Sequence, residues 1–198
     1  MSSYKYQYIL IAFLIMTLSS CVTAPSLSPK PVSAGYLYEG SYINIHAPNS
    51  NGWFLVSSSQ DGIEFARSGV EKGESFAAQV LMFSLPQTQS EQEFIAIIKE
   101  GFEFDTHSER FSEIVSKFQY SKERGYPCVT VSSVVEDRQA KTSVNRIEKL
   151  ILQSNSLYCR HPVRQETGFA IIYSHRGKVR FSTLDAEAEN FINGVQVP

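Results

Sequence analysis

The chain has 198 residues, 42% of them hydrophobic and 19% charged, with a formal net charge of −2. So small a charge excludes the basic footprint of a nucleic-acid binder and is too weak for an acidic tail or a polyanion mimic. The length suits a single domain with one sizeable core, and no internal repeat divides it.

At the start, Lys5 precedes an unbroken apolar run from Ile9 to Met16, followed by small residues and Cys21. A membrane span needs about 20 apolar residues, and this run is far shorter, which fits the apolar region of a signal peptide. Leu18-Ser19-Ser20-Cys21 resembles the lipobox of bacterial lipoproteins. The resemblance implies cleavage before Cys21 and acyl chains on that residue. Two or more chains hold a protein on a bilayer stably where one does not. Val22 stands where an Asp would resemble an inner-membrane retention signal, so the expectation is an outer-membrane anchor with the protein facing the periplasm. Residues 1–20 are then the signal peptide, 21–38 a flexible tether rich in proline and serine, and 39–198 one globular domain.

The domain opens with strands. Tyr42 to Ile45 forms an extended run, Asn49-Ser50-Asn51-Gly52 a turn, and Trp53-Phe54-Leu55-Val56 the return. Asp61-Gly62 marks a hairpin into Ile63-Glu64-Phe65-Ala66-Arg67. After a turn at Glu71-Lys72-Gly73-Glu74 comes a long run, Phe76 to Leu85, whose Val80-Leu81-Met82-Phe83 reads as buried on both faces. Ser90-Glu91-Gln92-Glu93 is a capping box, and Phe94, Ile97, Ile98 and Phe102 form one apolar stripe, so the spacing predicts a helix. Residues 106–121 fit a helix through Phe111, Ile114, Val115 and Phe118, or a strand through Ile114, Ser116, Phe118 and Tyr120. The hairpin loop Lys122-Glu123-Arg124-Gly125 favours the strand over 114–121. Long strands follow from Cys128 to Val135, Ile147 to Cys159 and Phe169 to His175, with a polar reversal around Asp137 to Asn145. A second helix closes the chain, with Ser182 or Thr183 as N-cap, the stripe Leu184, Ala188, Phe191 and Ile192, and Gly194 just past its end. The predicted class is α+β, an antiparallel sheet flanked by two helices.

With Cys21 taken by lipid, Cys128 and Cys159 are an even pair in a compartment that permits disulfides. If their strands are hairpin neighbours, the two cysteines lie opposite each other about a reversal between Ser143 and Val144. A redox-active cysteine and a metal site with His161 are the competing readings, but no Cys-x-x-Cys is present and no basic neighbour adjoins Cys128. His161 and His175 frame the last hairpin. A turn centred near Arg164 and Gln165 separates them by over about 20 Å, too far for a shared metal. The same register brings His175 towards Ser154 and Ser133, but no G-x-S-x-G elbow accompanies that pair. No catalytic residue, metal ligand or cofactor is assigned. The run His175-Arg176-Gly177-Lys178-Val179-Arg180 is the densest basic patch. His175, Arg176, Lys178 and Arg180 are candidates to contact an anion or a partner, against a plain solvated loop. Tyr36, Tyr38 and Tyr42 alternate at the domain entrance, where they either cover the sheet or form a contact surface.

The order of elements, together with Tyr158-Cys159-Arg160-His161-Pro162 before Phe169 to His175 and the closing Phe191-Ile192-Asn193-Gly194-Val195, resembles the PsbP-like fold. That resemblance implies an αβα sandwich with a binding or assembly role and no shared catalytic residues. The expected function is a lipid-anchored, non-catalytic cell-envelope module that binds a protein partner and touches the membrane through Cys21, without nucleic acid. A carrier for a small hydrophobic ligand or lipid, with an enclosed apolar pocket between helix and sheet, is the alternative. A hydrolase built on a Ser/His pair is the second.

Overall fold

A computed structural model describes residues 29–106, 109–143 and 146–198. The elements are β1 (Lys30–Pro31), β2 (Leu37–Tyr38), β3 (Asn44–His46), β4 (Phe54–Ser58), β5 (Gly62–Ser68), β6 (Ser75–Ser84), α1 (Glu91–Thr106), β7 (Phe111–Ser121), β8 (Cys128–Ser143), β9 (Arg146–Arg160), β10 (Thr167–Gly177), α2 (Leu184–Asn193) and β11 (Val195–Gln196). Eight strands form one antiparallel sheet in the order β1-β4-β5-β6-β10-β9-β8-β7, and β11-β3-β2 form a small second sheet.

The αβα sandwich is overturned. Among the described residues there are eleven strands and only two helices, so the chain is mostly β, still α+β in class, with a single helix against each face of the large sheet where the sandwich needs helical layers. Side chains alternate between faces of a strand. Val129 and Val131 of β8 pack with Phe94 and Ile98 of α1 in one core cluster. Cys128 and Cys159 point the other way, into a cluster with Leu184, Ala188 and Phe191 of α2. The second cluster is the larger, and much of its cover comes from Ile43, Ile45 and Val195, which belong to the small sheet and its approach rather than to a helix.

Two further expectations fail on pairing. The 42–45 strand does not form a hairpin with 53–56: β3 lies between β2 and β11, whereas β4 pairs β1 and β5. Residues 30–38, assigned to a flexible tether, are held in both sheets, with Lys30 opposite Leu55 and Leu37 opposite His46, and the Val32 amide donates to the Trp53 carbonyl at 2.9 Å. The ambiguous segment is a strand from Phe111, earlier than residue 114. Leu81 is exposed, so β6 is not buried on both faces. α1 is capped as its sequence requires. The Glu93 amide donates to Ser90 Oγ at 3.1 Å and the Glu93 carboxylate accepts from the Gln89 amide at 2.6 Å.

Cys128 and Cys159 are directly opposed in the β8–β9 ladder and joined as a disulfide, their Cα atoms 4.1 Å apart. Past Asp137 the ladder slips twice at bulges, so the hairpin closes on the pair Ser143 and Arg146 rather than about the 143–144 bond. The bulges extend β8 through the segment expected as a polar loop and make Asp137 a buried strand residue.

Candidate functional site

The tyrosines at the domain entrance line a cleft of about 1000 Å³ between the small sheet and the β4–β5–β6 end of the large one. Its floor is Ile43, Ile45, Leu55, Ile63, Val80 and Met82; its rim is Tyr36, Tyr38, Tyr42, Ser41, Ser58 and Ser59, with Lys30 and Glu39 as the charged groups. The position follows from the local sequence. Residues 36–43 are too short and too irregular to join the large sheet, so β2 and β3 lean across it, with Tyr38 packed on Phe65 at 5.4 Å. Tyr36 packs edge-on against Tyr38 at 4.9 Å, while Arg164 lies 4.3 Å over the Tyr42 ring. Burial, and then the neighbouring Tyr36, push the Tyr38 hydroxyl above the ordinary tyrosine range. Tyr36 and Tyr42 stay exposed. The cleft opens to solvent and lies between two sheets. It therefore differs from the enclosed helix–sheet pocket expected of a carrier.

The distinctive Tyr-Cys-Arg-His-Pro stretch stitches the fold. Arg160 is buried and donates to the carbonyls of Gln165, Leu85 and Pro86, the last at 2.7 Å, tying β9 to the segment before α1. His161 Nδ1 accepts from the amides of Val163 and Arg164 at 3.2 and 3.1 Å. Its proton is therefore on Nε2, which is buried without a protein acceptor.

The basic run is divided by the structure. Gly168 pairs with Arg160, one residue short of the expected His161, and that single step sets His175 opposite Gln153 instead of Ser154. A one-residue slip moves a side chain to the other face. His175 thus enters the α2-side core between Phe76 and Phe181, at ring distances of 4.8 and 5.1 Å, and its Nε2 meets Glu74 Oε1 at 2.9 Å. Ser133 and Ser154 bond each other at 2.8 Å on the opposite face. The Ser/His pair that the hydrolase alternative names is not formed among the described residues, because the imidazole meets Glu74 while Ser133 and Ser154 bond each other on the other face.

Arg176 projects from that opposite face and lies 3.6 Å from Asp137 Oδ2. Arg110 grips the same carboxylate with two hydrogen bonds of 2.8 and 2.7 Å, and the Gln139 amide adds a third at 3.1 Å. Burial alone would raise the Asp137 carboxyl, but these donors and the two guanidinium charges outweigh it and hold it below the usual carboxylate range. Arg176 is therefore a structural ion-pair partner, whereas Lys178 and Arg180 are exposed. The four basic-run candidates do not form one site.

Sequence reading missed a second polar network. Tyr173 donates to Glu187 Oε2 at 2.6 Å, and Arg67 reaches the same oxygen at 3.3 Å while lying 4.2 Å over the Phe76 ring. Burial, reinforced by Glu187, raises the Tyr173 hydroxyl far above the ordinary tyrosine range. This network fastens α2 to the sheet. Its one visible signal was Arg67 at an inward-facing position of β5. Among the described residues no group of three or more His, Cys, Asp or Glu could hold a metal ion.

In structure the chain is similar to cyanobacterial PsbP (CyanoP) from Synechocystis sp. PCC 6803, with a TM-score of 0.50 at 14% identity, over 91% of this chain and 99% of that one. It is also similar to the Saccharomyces cerevisiae Ran-binding protein Mog1p, at TM-score 0.43 and 10% identity over 87% and 96% of the two chains. A mutant of Mog1 gives 0.44 at 10% over 86% and 96%. No family model and no curated protein matches by sequence. The CyanoP likeness shows a PsbP-like fold, and at that identity it shows the fold alone.

Proposed function

We propose that the chain is a lipid-anchored, non-catalytic envelope module that binds a protein partner in the cleft ringed by Tyr36 and Tyr42. Residues 1–20 are removed, acyl chains on Cys21 hold the chain on the outer membrane, and the domain faces the periplasm. The observation that supports partner binding is the cleft's surface. Exposed tyrosines over an apolar floor, with Arg164 stacked on the Tyr42 ring, supply the aromatic and arginine side chains that protein interfaces favour. A photo-crosslinking residue placed at Tyr36 or Tyr42 in intact cells should give one discrete adduct. The same residue at Glu100, on the exposed side of α1, should give none. Equal labelling at both positions, or no adduct in the cleft, would reject the reading. The anchor has its own test, since mass spectrometry of the mature protein should find its first residue at an acylated Cys21.

A carrier function is the second reading, favoured by the cleft's volume, which is at the upper end for small-ligand sites. Native mass spectrometry should then find a bound small molecule that Val80→Trp expels from the floor.

A further inference from the structure

The end of the large sheet opposite the cleft carries two loops whose composition neither the fold nor the cleft explains. One is the β5–β6 turn, residues 69–74; the other is residues 178–183 between β10 and α2. Val70 is 99% exposed and Val179 is 73% exposed. Around them stand Lys72, Lys178 and Arg180, all exposed.

The two loops are fastened to each other. Glu74 Oε2 accepts from the amides of Val70 and Glu71 at 2.8 and 3.1 Å. Its other oxygen meets His175 Nε2 at 2.9 Å, and the His175 ring packs on Phe181. Glycine is required at two points of this joint. A Cβ on Gly69 would lie 2.2 Å from the Glu74 side chain, and one on Gly177 would lie 2.8 Å from the His175 ring. With Glu74 so engaged, the only other acidic side chain in these loops is Glu71, set against three cations.

We infer that these two loops form a platform that docks on an anionic phospholipid bilayer, with Val70 and Val179 entering the interface and Lys72, Lys178 and Arg180 at the headgroups. Aliphatic tips on rigid loops inside a basic ring match an interface that is apolar below and negatively charged above. A protein partner fits less well, because the two exposed tips, Val70 and Val179, are aliphatic and not the aromatic anchors protein interfaces favour. The platform rests on the lipid-anchored reading only for its concentration at the surface. An anchor on Cys21 keeps the domain beside the bilayer, so a weak contact is enough to orient it.

The chain has one tryptophan, Trp53, and it is buried, so a tryptophan placed at a loop tip reports separately. The acylated full-length Val179→Trp protein is reconstituted in phosphatidylcholine vesicles with or without one-third phosphatidylglycerol, with bromine on the acyl chains. Bromine should quench the introduced indole in the anionic vesicles at physiological salt, much less in the neutral ones, and not at all in Val163→Trp at the cleft end. Each cation contributes roughly fivefold to surface binding, so Lys72→Gln with Lys178→Gln and Arg180→Gln should weaken docking on the order of a hundredfold and abolish the quench. Quenching that ignores lipid charge, or that is equal at positions 179 and 163, overturns the platform, as does none at 179 in an acylated chain. If mass spectrometry finds Cys21 unacylated while the Val179→Trp indole is still quenched in anionic vesicles, the anchor falls and the platform stands.

Discussion

Asp137→Asn tests the electrostatics of the β8 bend with little change of shape. The carboxylate is buried, and it receives two charge-assisted bonds from Arg110, one amide bond from Gln139 and the nearby charge of Arg176. Breaking a fully buried ion pair costs about 3–5 kcal/mol, but the Arg110 side chain is 43% exposed and regains hydration when its partner is neutral. An asparagine also keeps one acceptor for Arg110 or Gln139. The net loss at pH 7 is therefore about 2–3 kcal/mol, near the value of one charge-assisted hydrogen bond. The pH dependence fixes the sign. The Asp137 carboxyl is lowered on folding from its ordinary 3.8. Its contribution is thus complete above that value and is lost as pH falls through the lower folded-state value. Urea unfolding of wild type and variant from pH 7 down to pH 2 should give curves that differ by about 2–3 kcal/mol at neutrality and converge in acid, with unchanged slopes. A difference under about 0.5 kcal/mol at pH 7 is ordinary for a surface substitution and would refute the reasoning. So would a gap that persists undiminished in acid.

Three further outcomes are expected. Replacing Cys128 and Cys159 together by alanine opens a loop of 31 residues and should cost about 3–4 kcal/mol in the chain-entropy model, read from the shift in urea midpoint; native protein with two alkylatable thiols would remove the bridge itself. Tyr173→Phe leaves Glu187 with Arg67 and a hydroxyl fewer, and should lower stability by about 1–2 kcal/mol without altering the cleft adducts formed from Tyr36. Glu74→Gln should leave global stability within about 1 kcal/mol while hydrogen exchange rises across residues 69–74 and 178–181, because Glu74 is where the two loops meet.

The parts of the fold legible in the sequence are those set by local chemistry or by a pair of marked residues. Ser90 and Glu93 announce α1, its stripe names the face that packs on β7 and β8, and the two cysteines pin the β8–β9 register from Cys128 as far as Asp137. The β9–β10 register had only a turn to fix it, and placing that turn's centre half a residue late put His161 instead of Arg160 opposite Gly168. That small error transferred His175 from the aromatic core to the serine face and kept a Ser/His reading alive. Strands β1 and β2 were illegible for a different reason. Two residues carry no periodicity, and the prolines beside them read as linker, although Lys30 and Leu37 find partners further along the chain. Asp137 looked like a loop residue because a carboxylate is seldom buried. Arg110 and Arg176, both distant in the sequence, join the nearby Gln139 amide in making it acceptable inside a strand.

The two surfaces proposed for function lie at opposite ends of β10, and the chain's entry point relates them. β10 is 11 residues long, roughly 35 Å at the usual rise, so a domain standing on Val70 and Val179 holds Tyr42, beside Arg164 at the other end of β10, about that far from the bilayer. Lys30 enters on the β4 edge at the row of Leu55 and Phe65, about three residues or 10 Å from the end of β5 at Ser68. Between Cys21 and Lys30 lie about nine residue steps, which reach about 30 Å at most. That is enough for an acylated Cys21 to sit in the membrane while the loop platform rests on it. The proposed anchor and the proposed platform are therefore compatible with one orientation, in which Tyr42, beside Arg164 past the far end of β10, lies away from the lipid. Crosslinks from the cleft should accordingly run to a protein in the periplasmic space, and those from Val179 to lipid.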